Sequence, residues 1–225
     1  MMLRAKTFFS RRREAKVAAL LLATFGAALS ACGPIISFGG DGPADTVYSL
    51  RYDGAYHSGE AGAAVIYVDE PHLGDGLVGQ NISVALAGQK RSTLKGARWS
   101  APLSNLVRDY VVRSMGDKAG AHMIGEGGLD IHAGCRLGTK VWALEFVPGD
   151  VATDDKVVVA VEMALVRLRD SKLLSHPTFE QSVEVVGASE NDAIAAAFNR
   201  AMAATARDMG SWLKGQAMQC VGQNS

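Results

Sequence analysis

The sequence predicts an α/β fold, in which a mixed sheet with a βαβ unit and an antiparallel meander is closed by a long C-terminal helix. Three observations carry this expectation. Residues 142–185 hold three runs in which apolar and polar side chains alternate, the period of a strand with one buried face. Residues 103–115 and 194–213 space their apolar side chains three and four apart, the period of a helix with one buried stripe. Residues 63–69, with Val65, Ile66, Tyr67 and Val68, are apolar on both faces and suit a central strand.

The chain opens with Arg4, Lys6, Arg11, Arg12, Arg13 and Lys16, followed by an apolar run at 17–28 and then Leu29-Ser30-Ala31-Cys32. A basic start, an apolar stretch and small residues before a cysteine make a secretory signal peptide (residues 1–31) ending in a lipobox. The Cys32 thiol takes a diacylglycerol, and cleavage then leaves it as the first mature residue. The alternative is a secreted protein cut after Ala31, with Cys32 incidental. As a membrane span the run is too short, since a bilayer core needs about 20 apolar residues. Residues 32–45, rich in Gly with Pro34 and Pro43, form a flexible lipidated tether. Gly33, where an Asp would favour retention at the inner membrane, directs the protein to the outer membrane, facing the periplasm. Residues 46–225 are then a single periplasmic α/β domain.

A formal charge of zero conceals an uneven distribution. Six of the 23 basic residues and one of the 23 acidic residues lie in the leader, which leaves 17 against 22 and a net of −5 for the mature chain. Such a balance points away from nucleic acid and from anionic membrane surfaces. With Cys32 acylated, Cys135 and Cys220 remain in a compartment that permits disulfides, and they are expected to pair. Two buried thiols are the alternative, because spacing in sequence does not fix separation in space.

Taken in order, 46–52 is a short strand and 63–69 a stronger one. Gly74-Asp75-Gly76-Leu77-Val78-Gly79 matches a dinucleotide fingerprint letter for letter. That motif works only where its last glycines open a helix, whereas here 81–86 alternates like a strand, so a glycine-rich loop is expected. Residues 89–98 are polar and turn-like. Ser100 is placed to cap a helix, with Pro102 in its first turn and Gly116 at its end. Residues 125–130 read as loop. In the meander, Trp142, Leu144 and Phe146 are expected on one buried face, followed by Val157 to Leu165 at alternate positions and then Phe179, Val183 and Val185. Ser189 with Asp192 resembles a capping box before the final helix.

No constellation of catalytic or metal-binding residues stands out. His57, His72, His122, His132 and His176 are scattered, and none lies four residues from another, so a His-x-x-x-His zinc signature is missing. His132 and Cys135 have a ligand-like spacing, for which a disulfide and a surface histidine are the simpler account. Asp69-Glu70 and Asp154-Asp155 fall at turns, where solvation explains them. No cofactor is implied. Trp99, flanked by Arg98, is either an exposed aromatic anchor for a partner or a tryptophan closing the core over the helix entry. Arg98 and Trp99 are accordingly the partner-binding candidates.

The lipobox, Tyr48-Ser49-Leu50, Gly79-Gln80-Asn81-Ile82 and Ala97-Arg98-Trp99-Ser100-Ala101-Pro102-Leu103 together resemble the ABC-type transport auxiliary lipoprotein family, of the paraquat-inducible PqiC type. The resemblance runs from Tyr48 to the final helix. Where relatives often carry an aromatic, this chain has Leu94-Lys95-Gly96. Membership implies a fold similar to the amino-terminal domain of TolB and a role without catalysis. It implies an outer-membrane lipoprotein working beside an inner-membrane ABC permease and a periplasmic MCE-domain protein, in lipid traffic between the membranes. Some relatives assemble as rings, so a homo-oligomer fits the resemblance. The other readings are an assembly or pilot lipoprotein of another envelope machine, and a periplasmic hydrolase.

Overall fold

The computed structural model describes residues 44–55, 63–125, 132–187 and 190–221. The expected leader, Cys32, His57, most of the tether, Ser189 and all but Gly125 of the loop at 125–130 lie outside the described residues. In chain order the strands are β1 (Thr46–Tyr48), β2 (Val65–Val68), β3 (His72–Leu73), β4 (Asn81–Leu86), β5 (Lys90–Trp99), β6 (His122–Ile124), β7 (Cys135–Val147), β8 (Lys156–Arg167), β9 (Lys172–Ser175) and β10 (Thr178–Glu184). Helix α1 (Leu103–Ala119) lies between β5 and β6, and α2 (Asn191–Gln216) follows β10.

These strands form one mixed sheet arranged around β7. Along one edge β7 pairs antiparallel with β8 over nearly its whole length. Its other edge is shared by β2, β3 and β4, which all run parallel to it. From this edge the sheet forks: β6 is added to β2, whereas β5 and then β1 are added to β4. Helix α1 crosses from one arm of the fork to the other. Strands β9 and β10 line the far edge of β8, separated at His176-Pro177. Proline lacks the N–H a ladder needs and is tolerated at such an edge.

Both helices contribute to the core on one side of the sheet and pack against each other. Gly210 of α2 permits the close approach, since a Cβ there would lie 2.5 Å from the Lys118 Cβ of α1. The stripe expected for α2 is buried through Ile194, Phe198, Ala201, Met202, Thr205, Met209 and Leu213, while Trp212 is half-buried against Phe179. Beyond α2, a single 3₁₀ turn (Ala217–Cys220) brings Cys220 to the start of β7, where it forms a disulfide with Cys135.

Several local expectations are corrected. The polar stretch at 89–98 is a strand, β5. It hairpins with β4 through Gly88 and Gln89, both at positive φ (71° and 61°), and its first residues are polar because much of that arm is exposed. Strand β1 stops at Tyr48 because its partner β5 stops at Trp99, in register with it. The chain then turns to α2, where Asn199 accepts the Arg51 N–H (2.9 Å) and donates to the Ser49 carbonyl (3.4 Å). Ser100 does not cap α1. Pro102 holds the cap position without a side-chain bond, and the Gly79 carbonyl accepts the Leu103 N–H at 2.9 Å. Gly116 lies inside α1 on its buried face, and the helix instead ends at Gly120, whose φ of 67° suits a glycine after a helix. Glu190 precedes α2, again without a side-chain cap, and Asp192 accepts a hydrogen bond from Tyr48.

The Tyr48 hydroxyl donates to Asp192 Oδ1 at 2.6 Å and ties β1 to the first turn of α2. Loss of water, followed by the Asp192 carboxylate, pushes its pKa up from 10.0 to about 12. The fold therefore favours the neutral phenol. Its contribution to stability is complete below the unfolded value and is lost as pH rises from 10.0 to about 12. Tyr52 and Tyr110 are raised too, primarily by burial. Tyr48→Phe is expected to remove one share of this alkaline loss, measured as a shallower fall in the urea midpoint between about pH 9 and 12.

Candidate functional site

Two places in the fold bear on function: the joint built by the sequence motif and the face of the sheet opposite the helices. At the joint, Gly79 takes a φ of 63°, which turns the chain under the helix entry. The Gln80 carbonyl accepts the Trp99 N–H at 2.7 Å, and the Tyr48 carbonyl accepts the Ser100 N–H at 2.7 Å. Arg98 Nη1 donates to Gln80 Oε1 at 2.9 Å. The motif thus fastens the end of β5, the start of β4 and the entry to α1.

Trp99 is completely buried there and meets Phe198 of α2 edge to face, with ring centroids 5.3 Å apart. This corrects its candidacy as an exposed anchor. A side chain without solvent exposure offers a partner no surface, and its role is to close the core. Arg98 stays partly exposed, with its guanidinium engaged by Gln80. Cys135 is held in the disulfide, so no thiolate stands beside His132 as a metal ligand.

Trp142 stands elsewhere than expected. From Cys135 to Val141 the odd-numbered residues of β7 face the core. Between Val141 and Ala143 the register against β8 shifts by a bulge. Beyond it Leu144 and Phe146 turn inward, while Trp142 keeps the outward side of Arg136, Gly138 and Lys140. A bulge re-aims side chains in this way because one extra residue reverses the alternation. Trp142 is left 46% exposed.

The indole is fixed in place. Its Nε1 donates to Glu162 Oε2 at 3.0 Å, and the Lys140 ammonium sits 3.3 Å from the ring centroid. Glu162 Oε1 is 2.9 Å from His176 Nε2. The indole N–H and then the His176 imidazole hold the Glu162 carboxyl below its usual range. In register across the sheet, His72, Lys140, Glu162 and Thr178 form one row. Gly138 with Ala164 and Ala143 with Ala160 form low rows to either side. Among the described residues no helix packs on this face. Sequence reasoning missed Trp142 because it extended the alternation of Leu144 and Phe146 backward through the bulge. The usable signal was Arg136, Gly138 and Lys140, which share its parity and are unsuited to a core.

Comparison with known proteins follows the same elements. The profile of the ABC-type transport auxiliary lipoprotein component family matches residues 48–210, from the end of β1 deep into α2. A protein of Xanthomonas campestris from the DUF330 family has a similar structure, with a TM-score of 0.62 at 17% identity over 77% of this chain and 96% of that one. An uncharacterized protein of known structure gives a TM-score of 0.60 at 13% identity, over 76% of this chain and 99% of its own. PelC of Paraburkholderia phytofirmans, solved as a dodecamer, is more distant, with a TM-score of 0.38 at 12% identity over 71% of this chain and 95% of that one. No curated protein matches the chain. The first two structures share the fold, and the profile spans the joint that the motif builds. The chain belongs to the family of ABC-type transport auxiliary lipoprotein components.

Proposed function

We propose that the protein is a lipid-anchored docking component at the periplasmic face of the outer membrane, serving an ABC-type MCE lipid transport system. The observation that carries this reading is the family match across residues 48–210, downstream of a lipobox at Cys32. In this reading the lipid on Cys32 fixes the protein to the membrane and residues 33–45 set its reach. The folded unit receives a periplasmic MCE-domain protein whose ABC permease lies in the inner membrane. Making or breaking a covalent bond is no part of the role.

The test is a crosslinked purification of the acylated protein from solubilised envelopes, beside a Cys32→Ala control, with partners identified by mass spectrometry. The expected result is recovery of an MCE-domain protein and its permease, reduced in the unanchored control. Recovery of outer-membrane assembly proteins instead would show that the protein serves a different envelope machine.

A further inference from the structure

We infer that the open face centred on Trp142 is where this docking component meets its periplasmic protein partner, and that the partner brings an apolar pocket for the indole with basic side chains beside it. The inference rests on the docking reading above. Trp142 has the features of an interface anchor: it is large, nearly half exposed and held in one orientation by Glu162 and Lys140. A side chain already ordered loses little freedom on binding, so more of its buried area becomes affinity. The rows of Gly138 with Ala164 and Ala143 with Ala160 are low enough for a partner to close around the ring.

Charge identifies the partner's chemistry. Most of the other charges on this face are already engaged: Arg136 with Asp69, Lys140 with the Trp142 ring, Glu162 with Trp142 and His176, and Arg91 with Glu145. Along β10 the outward residues are Thr178, Glu180, Ser182 and Glu184. Among the described residues neither glutamate forms an ion pair, although Glu184 lies across from Lys156 in the ladder. Glu180 lies across from Ala160, beside the Trp142 row. Set against Lys156, Glu184 leaves little net charge, whereas Glu180 faces only Ala160 and is the acidic charge left without a counterpart beside Trp142, so the surface that complements it is basic.

The test uses the full acylated protein and the MCE-domain protein recovered with it. A carbodiimide, which joins a carboxylate directly to an amine, is expected to link Glu180 to a lysine of that partner, and Glu180→Gln is expected to remove the link. Trp142→Ala is expected to lower retention of the partner at least tenfold, and Glu180→Arg severalfold. Val78→Ala, at an exposed position outside this face, should leave retention unchanged, and melting curves should confirm that all variants are folded. Full retention by folded Trp142→Ala and Glu180→Arg overturns the inference and leaves the docking reading intact. Glu180 links found only to a second copy of this chain also overturn it. If the wild-type protein retains no MCE-domain partner, both readings fall together.

Discussion

Trp99→Ala is expected to lower folding stability by about 3–5 kcal/mol, the range for deleting a large aromatic from a packed core. The indole is fully buried where three elements converge, and it packs edge to face on Phe198 at 5.3 Å. Removing it leaves a void bounded by the β5 end, the α1 entry and α2, held by backbone bonds such as Trp99 N–H to the Gln80 carbonyl. Those bonds resist collapse, which places the cost toward the upper end. Trp99→Phe should lose much less. It keeps a ring against Phe198 and removes an indole Nε1 that finds no acceptor among the described residues. Urea midpoints of the two variants decide the matter. A loss under about 1 kcal/mol for the alanine variant, well short of the cost of such a cavity, would mean that Trp99 is not a core residue.

The same residue shows what the sequence could and could not convey. A Trp between Arg98 and Ser100 looks irregular because it ends a strand whose first residues are wet on both faces. The signal for β5 was therefore weak, although Trp99 itself faces the core. Alternation identified β8 and the inward side of β10, where one residue follows another without interruption. It misplaced Trp142, because an extra residue at 141–143 reverses parity and leaves no mark in composition. Capping failed for a different reason. Ser100 is a good cap by type, but the Gly79 carbonyl, in the turn before β4, already receives the first helical N–H. Local preferences are readable when the bonds they describe are local. The joint at Gly79, Gln80 and Trp99 is made of contacts distant in sequence, so only its conspicuous letters were visible.

Loss of the disulfide should have an effect of similar size. Cys135 and Cys220 are 85 residues apart, and closing such a loop in the unfolded chain corresponds to roughly 4.5 kcal/mol on the chain-entropy estimate. A measured loss of about 2–4 kcal/mol is expected, because the reduced unfolded chain retains some structure of its own. The comparison is between wild type in reductant and a Cys135→Ala, Cys220→Ala double variant. Their urea midpoints should converge, and reductant should not move the double variant. An unchanged wild-type midpoint in reductant would mean that the two sulfurs are not joined in solution. Gly134 gives an independent check on the same contact. A Cβ there would overlap the Cys220 carbonyl oxygen. Gly134→Ala must therefore push the 3₁₀ turn away from β7 while the disulfide holds it in place. Freed of the disulfide, that turn can move aside. The cost of Gly134→Ala should then be smaller in the double variant than in wild type, a coupling that two unrelated sites would lack.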